Sequence, residues 1–442
     1  MQLPVLFTLG LATSFASLST AHTVFTTLFV NDVNQGDGTC VRMSKQGNVS
    51  THPIASGINS PDMACGRDGQ ETVAFTCPAP AGSKLTLEFR MWADASKPGS
   101  IDPSHVGPMA VYLKRVSNIK TDAAAGPGWF KIWDEGYDAA AKKWATEKLI
   151  AQDGLLSIEL PSGLPTGYYL ARHEIITIQN VTNDKVDPQF YVGCAQLFIQ
   201  GSSTSESTSI PLDKLVSIPG HVQATDPGLT LNPYKDDLTT YQTVGPSIFF
   251  PAPSSNINTN TAGGRGTNAK TQQSTAQTQT DGLIPPTCLL KNANWCAAEV
   301  PSYTTEAGCW AAGEDCYAQL DVCYKTAPPT GSKGCRVWEE DKCAVIQAAC
   351  QSGNFQGPPR KGEKLGAAAG GGGDGVDQPV PGGKVPPAAV NAGAEGQGQQ
   401  AGSTPTPTKV STTPTAVSAS AAPKKTSKCG GRRRERRQRR RV

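Results

Sequence analysis

Histidine is scarce in this chain. Only five are present in 442 residues, His22, His52, His105, His173 and His221, so any imidazole chemistry must draw on that short set. Charge is absent from the first 21 residues, and their apolar run from Leu3 to Ala12 is too short to span a bilayer as a helix. No later stretch has the length and apolarity of a membrane span, which excludes a membrane partner of that kind. Positive charge is thin outside the C-terminus. Eleven Lys/Arg and one Glu lie from Lys424 onward, a balance of +10, so of the formal net +3 the remainder carries 3 − 10 = −7. A body of that sign is not built to hold nucleic acid. Nor does any pattern single out the pair of carboxylates that hydrolysis of a glycosidic bond requires.

What is present begins with "MQLPVLFTLGLATSFASLSTA", whose small residues Ser19 and Ala21 occupy the −3 and −1 positions of a cleavage site. Residues 1–21 read as a signal peptide, and the cut makes His22 the first residue of the mature chain. That residue then offers a free amine, with a pKa of about 8, beside its own imidazole. Thirteen cysteines behind a signal peptide read as disulfides formed in an oxidising compartment. The sequons at Asn48 and Asn180 are glycosylation candidates of a secreted, extracellular protein.

Residues 22–252 hold short β-rich runs between turn signals: "TVFTTLFV", "KLTLEFRMW", "MAVYLKRV", "GLLSIEL", "GYYLARHEIITI" and "FYVGCAQLFIQ". Their length and punctuation favour an antiparallel sandwich decorated by long loops over a parallel α/β sheet. Residues 253–286 form a Ser/Asn/Thr/Gln-rich flexible linker, and 287–352 a cysteine-rich module. Residues 353–428 are a Gly/Pro/Ala/Thr tract expected to be disordered, and 429–442 a basic tail.

One constellation suggests a metal. His22 can chelate through two nitrogens. His105 lies in "DPSHVGPMAVYL", a turn that could present its ring at a sheet edge. Gln189 and Tyr191, two apart in "DPQFYVGCAQ", share one face of a strand. Three nitrogens with a weakly bound phenol suit Cu(II) better than zinc, and His173 in "ARHEIITI" is a candidate supporting donor. Each residue also has an ordinary reading. Something must follow any cleavage site, loop histidines are commonly solvated, and strand residues commonly only pack.

The set "TAHTVF", "VNDVNQGDGTCVRM", "SPDMAC", "DPSHVGPMAVYL", "GPGWFKIWDEGYD", "LPSGLPTGYYLARHEIITI", "DPQFYVGCAQLFI" and "SIPGHVQATDPGLTLN" resembles, in order, the fungal lytic polysaccharide monooxygenases of auxiliary activity family nine, formerly glycoside hydrolase family sixty-one. The resemblance covers about residues 22–250. It implies an immunoglobulin-like β-sandwich carrying one copper ion held by His22, through amine and ring, and by His105, with Tyr191 axial. It gives His173 and Gln189 the catalytic role of handling the oxygen species. The implied reaction is oxidative cleavage of cellulose or a related β-glucan by a monomeric enzyme. It uses O2 or H2O2 and an electron donor, a small molecule or a secreted dehydrogenase. It also implies a disulfide between Cys65 and Cys194, with Cys40 and Cys77 then left to each other; four cysteines on their own allow three connectivities. Cys194, three residues after Tyr191, would face away from the metal and toward the core. Tyr234 and Tyr241 are candidate substrate-binding rings. A copper-binding or wall-adhesion protein on the same scaffold is the competing reading. Gln189 and His173 beside the metal favour the enzyme, since storage needs no oxygen-handling groups.

In the module, Cys309, Cys316 and Cys323 are seven apart, as are Cys343 and Cys350, which predicts two helices joined across facing sides. Its aromatics, Trp295, Trp310, Tyr317, Tyr324 and Trp338, either fill a small core or bind carbohydrate. Cys429, the odd thirteenth cysteine, is left for a free or intermolecular role. The "RRRERRQRRR" run reads as a solvated tail.

Overall fold

In a computed structural model, the residues described are 22–201, 210–252, 278–366, 384 and 386–390. The signal peptide, most of the linker, most of the low-complexity tract, the basic tail and Cys429 lie outside them.

Two sheets face each other. The first has four antiparallel strands in the order β6-β3-β1-β2, where β1 is Val24–Val30, β2 Val33–Asp37, β3 Lys84–Arg90 and β6 Leu155–Glu159. The second is built on β4 (Met109–Val116), β5 (Gly126–Glu135), β7 (Gly167–Thr177) and β8 (Gln189–Gln200), in the order β5-β4-β7-β8. Val216–Ile218 pairs with β5, and Val41–Arg42 and Cys77–Pro80 both pair with β8. This is the antiparallel sandwich expected.

β7 and β8 are buried on both faces, and the fold uses both. Along β8, Tyr191, Ala195, Leu197 and Ile199 enter the core between the sheets, where Leu28, Leu87, Val111 and Phe130 meet them. The alternate residues Phe190, Cys194 and Phe198 enter a second cluster outside the sheet, roofed by Met63, Ala64, Val222, Leu229 and Val244 of the long loops. Burying each such side chain is worth roughly 1.5–3 kcal/mol, so the loops form a true third layer. Cys194 therefore faces away from Tyr191, as strand alternation requires, but points under this loop layer and not into the inter-sheet core. It is bonded there to Cys65, and Cys40 is bonded to Cys77.

The cysteine-rich module is helical. Helix α1 (Glu306–Thr326), capped by the Thr305 hydroxyl, runs against α2 (Lys333–Trp338) and α3 (Ala344–Gln351). The bonds Cys309–Cys350, Cys316–Cys343 and Cys323–Cys335 step along the pair in antiparallel order. On α1 the cysteines are seven apart, yet Cys335 and Cys343 are eight apart. A π-turn at Glu339–Cys343 takes up the extra residue and keeps the rungs level. Cys288–Cys296 closes a small hairpin beside them. Buried Trp338 donates its indole N–H to the Cys316 carbonyl at 3.1 Å.

Two parts of the tract read as disordered take definite places. Leu365 is buried in the module, and its N–H donates to Leu289 O at 2.8 Å, so the packing continues to Gly366. Val390 donates to Ser157 O on the free edge of β6. Scattered apolar residues sufficed where composition averaged them away. Of the linker, Gln279 donates to Thr76 O, and Thr280 and Asp281 donate to the Tyr168 hydroxyl. The module also grips the sandwich. Asn294 accepts from the Cys40 N–H at 2.9 Å and donates to Gly38 O at 2.7 Å, and Lys291 Nζ donates to Gln35 O at 2.6 Å. Gly38, at φ +71°, lies so close that a Cβ there would sit 3.0 Å from both Ala293 and Pro328. No described helix is long and apolar enough to cross a membrane.

Candidate metal centre

The ends of β1, β7 and β8 and the loop before β4 bring most of the named residues to one end of the sandwich. Thr23 anchors the start of the chain there, its N–H donating to Thr51 O at 3.0 Å and its hydroxyl to Ser100 O at 2.8 Å. The next ring back, His22, lies flat on His52, with centroids 3.8 Å apart and planes 6° from parallel. Arg67 holds the His52 loop by donating to the carbonyls of Val49, His52 and Pro53. Ile54 N–H then ties that loop to Phe190 O on β8 at 2.8 Å.

His105 is fixed from two sides. Its loop is laced to β7, because Ile176 donates to Pro108 O and Ile178 to Val106 O. Gly107 packs so tightly there that a Cβ would lie 2.0 Å from Ile176 O. The ring's tautomer follows from its partners. The Ser104 hydroxyl donates to Asp102 Oδ1 at 2.7 Å, so at 3.1 Å it accepts from Nδ1–H of His105. The lone pair is then on Nε2, which is the protonation state of a metal ligand.

Tyr191 is buried, with its ring centroid 6.0 Å from that of His105. Its hydroxyl donates to Gln189 Oε1 at 3.2 Å, and burial pushes the phenol well above its ordinary pKa, so it stays neutral. Gln189 has a second neighbour that sequence reading overlooked. Gln179 Nε2 points to the same Oε1 at 3.4 Å, and the buried Oε1 of Gln179 has no hydrogen-bond partner. A polar atom left so is an invitation to a water or ligand. The only sequence signal for Gln179 is its place at the end of an apolar strand run, two residues beyond Thr177.

His173 lines a cavity with Thr23, His52 and Tyr191 but stands further along the strands than Gln189. In the β7–β8 register Thr177 faces Gln189 while His173 faces Gly193, four residues along, or roughly 13 Å at strand rise. Its ring is wedged edge-on against Phe25 and Phe89, at 5.5 and 4.9 Å. Burial lowers its pKa to about 3, with nearby Arg172 pushing the same way, so it is neutral. Gly193 is the space it needs: a Cβ there would lie 2.8 Å from the ring.

The two candidate substrate tyrosines part company. Tyr234 is 67 % exposed, and its hydroxyl donates to Gln179 O at 3.0 Å, which sets an open ring beside the glutamine pair. Tyr241 instead packs edge-on to Trp144 at 4.8 Å, donates to Gly228 O and fills the space over Gly136. It is a packing residue of the loop layer, unavailable for stacking. Asn48 and Asn180 are both exposed. His221 is bonded to Glu174 Oε2 at 2.9 Å, beneath the sheet with Arg172, and serves packing.

Among the described residues no three His, Cys, Asp or Glu side chains converge on one point. A donor set of two imidazoles and a terminal amine needs only two of them, and the locked His105 tautomer fits a metal that prefers nitrogen.

Residues 22–241 match the family described as Auxiliary Activity family 9 (formerly GH61). AA9 family lytic polysaccharide monooxygenase H of Botryotinia fuckeliana is 50% identical over 355 residues, covering 80% of this chain and 78% of its own length. AA9 family lytic polysaccharide monooxygenase C of Aspergillus tamarii is 46% identical over 352 residues, covering 79% and 90%. The solved structure CvAA9A is 35% identical, covers 52% of this chain and 98% of its own, and superposes with a TM-score of 0.45. This chain belongs to the AA9 family of lytic polysaccharide monooxygenases.

Proposed function

We propose that this protein is secreted, loses residues 1–21, and acts as a copper-dependent monooxygenase that cleaves β-1,4-glucosidic bonds of cellulose with an electron donor and O2 or H2O2. The observation that carries the reading is the Asp102–Ser104–His105 chain, which favours the tautomer in which Nε2 of His105 would be the metal's nitrogen. His22 would supply its new amine and its ring, and Tyr191 a neutral, weakly donating oxygen. Copper, when bound, supplies the one-electron chemistry that activates the oxidant against a strong C–H bond.

The chain's own side chains do the positioning. Gln189 accepts from Tyr191 and so fixes the phenol, while Gln179 donates to the same oxygen and keeps a buried carbonyl without a hydrogen-bond partner. Tyr234 offers an exposed ring on which a glucose unit can stack. His173 we assign to positioning, since it packs on Phe25, three residues from His22 in the strand that leaves it.

The test is mass spectrometry of the secreted N-terminus, copper titration, and product analysis on cellulose with ascorbate. A His22 terminus, one copper per chain and oxidised cello-oligosaccharides are expected. Copper binding without products would leave a binding protein in its place.

A further inference from the structure

The cysteine spacing that builds the module also builds something outside it. Each α1 cysteine is followed by an aromatic residue, so Trp310, Tyr317 and Tyr324 recur every seven residues. Seven residues are nearly two helical turns, which places the three rings along one face, roughly 10.5 Å apart at 1.5 Å per residue. Expectation for so small a module was that its rings fill the core. Trp295 and Trp338 do, but Trp310, Tyr317 and Tyr324 stay 40, 36 and 40 % exposed.

Two of the rings are also held. Tyr317 donates to Gln347 Oε1 on α3, and Tyr324 to Glu339 Oε2 at the π-turn, both at 2.9 Å. Each tether draws its ring across the seam between the antiparallel helices. Beneath them the rungs Cys309–Cys350, Cys316–Cys343 and Cys323–Cys335 keep the same pitch. The result is a row of three exposed aromatic side chains, two of them tethered, on a cross-linked base.

We propose that this row is a binding strip for an extended β-1,4-linked glucan, each ring stacking on every second sugar. In such a chain alternate units turn over, so equivalent pyranose faces recur every two residues, a distance close to the ring spacing. An electron-rich aromatic face suits the C–H-rich face of a pyranose, and rigid rings lose little entropy on binding. Because the module is hydrogen-bonded to the sandwich at Asn294 and Lys291, the strip holds a fixed place relative to the metal centre. The inference rests on the proposed action on a β-1,4-glucan but not on copper chemistry.

The experiment is a cellulose-depletion isotherm on the full chain, in chelator and without reductant, so that loss of oxidation cannot affect it. Single variants Trp310→Ala, Tyr317→Ala and Tyr324→Ala should each weaken binding about two- to tenfold, and the triple variant more than any single one. Tyr317→Phe, which keeps the ring and loses only the tether, should fall between wild type and Tyr317→Ala. Circular dichroism and melting temperature check that each variant is folded; Trp310→Ala, outside the tyrosine tethers, keeps the test open if the tyrosine variants are not. A folded triple variant with an unchanged isotherm overturns the proposal, and so does equal affinity of the wild type for a β-1,3-glucan. In either case cellulose oxidation, measured separately, can still stand.

Discussion

The rings of His22 and His52 lie face to face, 3.8 Å apart and 6° from parallel. His22 is the residue that cleavage would expose, so a neighbour that fixes its ring before any metal arrives lowers the entropy lost on coordination. Arg67 holds that neighbour's loop through three carbonyls. His52→Ala should weaken copper binding to the processed protein about two- to tenfold, the worth of one aromatic contact. His52→Phe, which keeps the stack, should restore most of it. Calorimetric titration reads both, and equal affinities in all three proteins would reduce the stack to ordinary packing.

Gln179 and Gln189 give the second prediction. Gln189 Oε1 receives both the Tyr191 hydroxyl and the Gln179 amide, so it is an acceptor held between two donors. Gln179→Ala removes one donor and should slow cellulose oxidation about tenfold, with copper affinity little changed. Gln179→Glu sets a carboxylate against that acceptor and should cost more. A rate unaffected by either change would remove Gln179 from the site.

The sandwich was legible because β-strands of this chain are short, apolar and bounded by turns. The helical pair was legible because seven-residue cysteine spacing has one geometric meaning. The site was only partly so. His105 and Tyr191 stand at the same end of the sandwich, and His173 shares a cavity with Tyr191 but lies further along: its neighbours on the chain are strand residues, and only the register with β8 reveals that it faces Gly193 and not Gln189. Gln179 was hidden for the same reason. Tyr241 and Tyr234 are both tyrosines in the final loop, and no sequence property separates the one that packs on Trp144 from the one left 67 % exposed.

Acid should destabilise the fold through His173. Its folded pKa is lowered to about 3 from 6.5, so below 6.5 the unfolded chain binds the extra proton. Stability is therefore complete above 6.5 and falls toward 3, by about 1.4 kcal/mol for each pH unit. Glu174, whose carboxyl Arg172 and His221 hold ionised, adds to the trend only below its ordinary 4.5. Urea unfolding between pH 6.5 and 4.5 isolates the histidine, and His173→Phe should flatten the slope in that interval. An unchanged slope would assign it to other groups.

Removing Cys65–Cys194 should do more harm than removing Cys40–Cys77. The first closes 129 residues and the second 37, so the entropic stabilisation of the longer loop exceeds that of the shorter by about 1 kcal/mol. Location adds to length. Cys194 lies on β8 three residues beyond Tyr191 and ties that strand to the loop carrying Met63 and Ala64, which roofs the outer face. The double variant Cys65→Ala/Cys194→Ala should lose about 2–5 kcal/mol and show faster amide exchange around Gln189 and Tyr191. Cys40→Ala/Cys77→Ala should lose less and leave exchange at those two residues slow, because its bond fixes the far edge of β8, where Cys77 pairs with Leu197. The order of the two melting temperatures and the place where exchange quickens decide whether the longer bridge holds the metal end of the strand.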